Sequence, residues 1–245
     1  MLAIIGGSGL TQIPEFEVTH RAVVRTPYGE PSGPIASGQL CGCPVVFIAR
    51  HGQGHTIPPH EVNYRANLWA LREQKVDGVV AIASVGGIRP DLGPGSIAIP
   101  HQIIDYTWGR KHTFFDGGTA VKHIDFTEPY DARLRALFLE AANHCGEPAA
   151  DHAVYASTQG PRLETSAEIE RLAGDGADIV GMTGMPEAAL ARELELPYAT
   201  IAVVVNHAAG RGDSRHGIQM EAIEESIRTS MSRVRLMLSA IVRIA

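Results

Sequence analysis

Five short stretches of this 245-residue chain place a hydroxyl, a cation or an amide directly after a run of apolar residues. Ile5-Gly6-Gly7-Ser8-Gly9 ends such a run in a glycine turn that carries the Ser8 hydroxyl. Glycines let the backbone approach a ligand closely and turn its N–H groups inward, which suits an anion. Arg50 and His51 follow the run at 45–49, and an arginine so placed can contact a phosphate through two N–H groups. Ser84 and Val85 follow the run at 79–83, Met182 and Thr183 precede the Pro186 of an expected helix, and Asn206 closes the run at 198–205. A hydroxyl just before a helix start suits an anion as well. Ligands of open α/β sheets bind beyond the carboxyl ends of strands. Ser8, Arg50, Ser84, Thr183 and Asn206 are therefore expected around one crevice that takes a small anion.

Other chemistries fit these residues less well. GGSGL lacks the G-x-G-x-x-G spacing of a dinucleotide site, and Arg50 stands where such a site needs an acid after the second strand. His51, His55 and His60 match no standard zinc spacing, so no metal is expected. Cys41, Cys43 and Cys145 form no disulfide framework and point to a reducing compartment, with the C-x-C pair read as a turn.

The elements that must position these groups follow from the apolar pattern. Short continuous apolar runs at 2–5, 45–49, 79–83, 96–99, 178–180 and 198–205 predict strands buried on both faces. Between them, helices are predicted at 63–74, 131–144, 166–173 and 186–194. Thr165 with Glu168 three residues on makes a capping box, and Pro186 suits a first helical turn. The final helix carries Ile223, Ile227, Met231, Val234, Leu238 and Ile241 on one face. Alternating strands and helices imply an α/β fold, a mixed and mostly parallel sheet flanked by helices, in a single domain over 1–245. Residues 109–118 and 208–217 are expected to be long loops.

A net charge of −6 argues against a nucleic-acid partner. No apolar run approaches the length of a membrane span. The N-terminus lacks a basic n-region and reads as a strand, so a cytoplasmic location is expected.

In ordered blocks running nearly end to end, the chain resembles the trimeric purine nucleoside phosphorylases and their 5′-methylthioadenosine phosphorylase branch. The blocks are IIGGSGL, RHGQGHTIPPHEVNYRANLWAL, ASVGGIRPDLGPGSIAIPHQIID, QGPRLETSAEI, VGMTGMPEAALARELELPYA and the last helix. The resemblance implies a nucleoside phosphorylase fold, phosphorolysis of a purine nucleoside with inorganic phosphate as co-substrate, and no metal or organic cofactor. It assigns phosphate binding to Ser8, Arg50, His51, Ser84 and Thr183. It puts Met182, with Val85, in the nucleoside site, Met182 lying under the ribose. It also implies a homotrimer in which His123 reaches a neighbouring subunit's 5′ pocket.

Two positions depart from the methylthioadenosine branch. Its Asp-x-Asp after the fifth strand is Asn206-His207-Ala208 here, so Ala208 removes one carboxylate and Asn206 can donate to N7 or a 6-keto oxygen. Where that branch has a small hydroxyl residue, Glu164 supplies an acceptor for the N1 proton that only a 6-oxopurine carries. Asn206 and Glu164 are thus the expected groups on the departing base, although an acid at a helix start is also common. Ile218 and Met220 fall where inosine-type enzymes place a histidine against the 5′-hydroxyl. An apolar pair there suits a methylthio group, unless it merely begins the last helix or the nearby His216 takes the position. The expected substrate is a 6-oxopurine 5′-methylthionucleoside. The alternatives are the 6-amino substrate of the methylthioadenosine branch, inosine or guanosine, and, in another class, a non-catalytic nucleoside-binding protein.

Overall fold

A computed structural model of the chain describes residues 1–118 and 120–245. The strands are β1 (Leu2–Gly6), β2 (Phe16–Ala22), β3 (Ile35–Leu40), β4 (Cys43–Ala49), β5 (Gly78–Gly87), β6 (Ile97–Ala98), β7 (Gln102–Asp105), β8 (Ala149–Ala150), β9 (Val154–Ser157), β10 (Ile179–Gly181) and β11 (Tyr198–His207). The helices are α1 (Tyr64–Glu73), α2 (Ala132–His144), α3 (Ser166–Gly174), α4 (Gly184–Glu193) and α5 (Met220–Ile244). The strands form one mixed sheet in the order β2-β3-β4-β1-β5-β10-β9-β7, and β11 pairs with β5 and β6 off that path. The parallel pairs β4-β1-β5-β11 make its centre, while β2 and β3 join antiparallel at one side.

Burial explains this order. β1 is buried at every residue and β11 through its first eight, as strands covered by helices on both faces must be. β2 exposes nearly all of FEVTHRA and sits at the edge, where charges discourage further pairing. The helix ends carry the caps that the sequence predicts. The Asn63 and Asp131 side chains accept from backbone N–H groups of α1 and α2, and Thr165 with Glu168 closes the capping box of α3.

The sheet opens in one place that matters. β5 keeps β11 beside it from Val79 to Gly87 but exchanges its other neighbour, pairing with β1 up to Ala81 and with β10 only from Gly86. Residues 82–85 therefore lie at a change of strand partners, the kind of switch point where open sheets bind ligands.

Two expectations about this region are corrected. Ser84 and Asn206 do not follow strand ends but lie inside β5 and β11, because those strands stay paired well past the apolar runs. The register of β11 shifts between Val204 and Asn206, a bulge that re-aims the side chains beside it. Thr183 is also set apart from a regular helix start. Met185 has extended backbone, so the continuous helical turns begin at Pro186.

Candidate active site

The switch point opens into a cavity of about 810 Å³, within the range of small-ligand pockets. Its walls bring together Ser8, Arg50, His51, Ser84, Val85, Glu164, Met182, Thr183, Asn206, Ala208, Ile218 and Met220. These come from seven parts of the chain. Every predicted site residue is thus present except His123, which is exposed and does not line the cavity of its own chain. His216 does not line it either.

Arg50 anchors one end. It directly follows β4 and is 1% exposed. Its Nε and Nη2 donate to the two carboxylate oxygens of Glu187, each at 2.7 Å, and Nη1 donates to the Ile82 carbonyl at 2.9 Å. The Nε–Nη2 side of the fork is taken by a buried carboxylate. Of five N–H groups, one on each terminal nitrogen remains for a ligand. Burial works against the cation, and Glu187 outweighs it and holds the guanidinium above its ordinary value. Glu187 also accepts from the Tyr198 hydroxyl at 2.8 Å. In the sequence it reads as an ordinary first-turn acid, 137 residues from its partner.

The guanidinium can lie here because residue 7 has no side chain. A Cβ on Gly7 would stand 2.4 Å from the Ile82 carbonyl and 3.2 Å from Arg50 Nη1. Beside it, His51 holds the Ile57 carbonyl 2.8 Å from Nδ1. A carbonyl can only accept, so Nδ1 carries the proton and Nε2 is left as an acceptor. Burial and the neighbouring Arg50 charge lower this imidazole to about 4, so it is neutral at pH 7.

The hydroxyls complete this end. Ser84 donates to the Ser8 carbonyl at 3.3 Å, which links the glycine turn to β5. The Thr183 side chain lines the cavity, makes no capping bond to α4 and lies against the buried Tyr155 hydroxyl.

The lining also holds Asn206 and Glu164. One N–H of Asn206 donates to the His207 carbonyl at 2.6 Å, leaving a second N–H and the amide oxygen. Glu164 is half-buried, and the Thr158 hydroxyl donates to its Oε1 at 2.6 Å. It is a held group in the cavity wall and not a solvated helix-start charge. Met182 also lines the cavity. It packs against Gly160, whose φ of +62° and missing Cβ allow the close approach of the Met182 sulfur.

The third side is mostly apolar, with the Glu224 carboxylate among its lining. Ile218, Met220, Ile223 and Ile227 line it from the start of α5, with Pro58 and Pro59 also contributing. Sequence reasoning did not place Ile223 and Ile227 here. They belong to the same periodic stripe as the core residues further along the helix, so nothing in the pattern marks where core ends and cavity begins.

The profile of the Phosphorylase superfamily matches residues 1–243. The chain is 52% identical to a probable S-methyl-5'-thioinosine phosphorylase of Pseudomonas syringae pv. tomato, over 98% of this chain and 97% of that one. It is 45% identical to a 6-oxopurine nucleoside phosphorylase of Pyrococcus furiosus, over 98% and 91%. The methylthioadenosine phosphorylase of Schistosoma mansoni, solved with adenine, superposes with a TM-score of 0.95 at 32% identity, covering 99% of this chain and 91% of that one. Fold, coverage and identity agree: the chain belongs to the phosphorylase superfamily.

Proposed function

We propose that this protein is a purine nucleoside phosphorylase that cleaves 5′-methylthioinosine with inorganic phosphate, giving hypoxanthine and 5-methylthioribose 1-phosphate. The observation that carries the choice of base is the pair Glu164 and Asn206 in one cavity wall, with Ala208 where a second carboxylate would stand. Thr158 occupies one oxygen of Glu164 as a donor, which leaves the carboxylate an acceptor for N1–H. Adenine N1 has only a lone pair, and such a mismatch between buried polar groups rejects an analogue by orders of magnitude. Asn206 donates to N7 or O6. The mostly apolar wall of Ile218, Met220, Ile223 and Ile227 suits a methylthio group.

In this reading the two remaining N–H groups of Arg50 and the hydroxyls of Ser8, Ser84 and Thr183 bind phosphate. Neutral His51 accepts, through Nε2, a hydrogen bond from the O–H of monohydrogen phosphate, and that proton ends on the departing purine as the sugar phosphate forms. The bond from C1′ to N9 breaks with its electron pair leaving on the purine, where Asn206 meets the charge and Glu164 fixes the ring. A phosphate oxygen then closes on the oxocarbenium-like C1′. Positioning and preorganised hydrogen bonds supply the rate. The reading includes no metal or organic cofactor, a homotrimer with His123 at a neighbour's 5′ pocket, and a cytoplasmic place in purine and methylthio salvage.

The test is a panel of 5′-methylthioinosine, 5′-methylthioadenosine, inosine and adenosine, each with and without phosphate. The expected result is phosphate-dependent turnover with the highest kcat/KM for methylthioinosine. A preference for methylthioadenosine overturns the base assignment, and a preference for inosine overturns the 5′ assignment. Binding of hypoxanthine without turnover makes the protein a nucleoside binder.

A further inference from the structure

The loop at 109–118 has no part in the reaction so far, yet it sends one charged side chain into the molecule. Arg110 is 8% exposed. Its Nη1 donates to the carbonyls of Met182 at 2.8 Å and Met185 at 2.6 Å, and to the Tyr64 hydroxyl at 3.3 Å. Its Nη2 donates to the carbonyls of Thr158 at 3.2 Å and Gln159 at 2.8 Å, and Nε to the Gln159 side-chain oxygen at 3.1 Å. The Tyr64 ring lies 5.6 Å from the guanidinium carbon, within cation–π range. Among the described residues no carboxylate pairs with it.

A buried cation without a counter-ion is rare, because desolvation disfavours it unless every donor is satisfied. Here the compensation comes from carbonyl dipoles on two segments that lead into the cavity lining, one through Met182 and Thr183 and the other towards Glu164. Met182 and Met185 bracket Thr183 on the phosphate side. Thr158 and Gln159 begin the segment that reaches Glu164, and the Thr158 hydroxyl is the one that holds Glu164. The third partner, Tyr64, donates to the carbonyl of Pro59 in the apolar wall. The planar fork of arginine spans such a set, and the point charge of lysine does not.

We propose that Arg110 is a positioning residue that fixes the distance between Thr183 and Glu164, and so between bound phosphate and the departing base. It touches neither substrate. This rests on the assignment of Thr183 to phosphate and Glu164 to the base. A small error in that separation costs about 10²-fold in rate, since the attacking oxygen and the leaving ring must be in place together.

The test compares Arg110→Ala and Arg110→Lys with the intact protein, using the nucleoside that the intact protein cleaves best. Both variants are expected to lose about 10²-fold in kcat, and millimolar guanidinium ion is expected to restore part of the activity of Arg110→Ala. In Thr183→Ala or Glu164→Gln backgrounds the same Arg110 change is expected to cost less than about tenfold, because the group it positions is already gone. A purely stabilising residue would cost the same factor in every background. That additive result, or an Arg110→Ala enzyme within about threefold of the intact one, overturns the proposal. If Arg110→Ala does not fold, Arg110→Lys carries the same comparison. Thr183→Ala with an unchanged KM for phosphate overturns the site assignment itself, which separates that failure from a failure of Arg110 alone.

Discussion

Asn206 commits one amide N–H to its neighbour's carbonyl at 2.6 Å, and that bond fixes the plane in which the other N–H points. If this N–H meets the charge on the leaving purine, Asn206→Ala lowers kcat/KM by about 10²–10³-fold, comparable to the loss of one oxyanion donor. A loss under about threefold in steady-state assays removes Asn206 from the mechanism. His51 makes a prediction about stability. Its folded value of about 4 lies below the ordinary 6.5, so the unfolded chain takes up a proton first as the pH falls. The contribution is therefore complete above pH 6.5 and is lost as the pH drops towards 4, by up to about 3 kcal/mol. Denaturant melts of the ligand-free protein at pH 7.5 and 4.5 are expected to differ less in His51→Asn, whose amide can still donate to the Ile57 carbonyl. An equal difference in both proteins excludes His51 as the source. At this scale the residue types were legible and most of their partners were not. Serine, arginine and asparagine after apolar runs announce a polar crevice. Nothing near Arg50 in sequence announces that Glu187 takes its fork.

Between elements, the Arg50–Glu187 pair ties α4 to β4, and Ile82 ties β4 to β5 through the same guanidinium. Removing one partner of a buried ion pair typically costs about 3–5 kcal/mol, because the other charge is left uncompensated. Glu187→Gln, whose amide oxygen still accepts one N–H, is expected near the lower end in chemical denaturation and to raise the KM for phosphate. Unchanged stability would mean that the guanidinium finds another acceptor. Gly7→Ala tests the packing of β1 on β5. Its Cβ must displace the Ile82 carbonyl or Arg50, and a shift of about 1 Å there is expected to lower kcat/KM on the order of 10²-fold. Retention of full activity would show that the turn relaxes. The helices were readable from apolar period and caps, within two residues at most ends. β2 was not, because an edge strand of mostly exposed residues has no apolar run. β7, β8 and β9 are four residues or fewer. β5 and β11 outran their predicted ends because Gly86, Gly87 and Asn206 look like turn residues but remain paired.

For the molecule as a whole, the homotrimer reading makes the site a shared one, and mixing can test it. In a hybrid of His123→Ala and Asn206→Ala chains, one kind of interface joins an intact Asn206 to an intact His123. Co-expressed chains are therefore expected to be more active than either variant alone. Activity no higher than the mean of the two parents rules out sharing. No helix among the described residues is long and apolar enough to cross a membrane. The α/β architecture was legible from alternating runs, whereas the exchange of partners along β5 was not, since it depends on where distant strands end. The apolar stripe of α5 carries one further consequence. From Met231 onwards it is sealed in the interior, but Met220 and Ile227, in its first two turns, face the cavity and remain partly exposed. The exposed Met220 side chain can change size with little effect on the packed interior, whereas Ile227 packs against Gly9 of the glycine turn. Descendants of this scaffold can therefore diverge in the sugar tail they accept while inheriting the same chemistry.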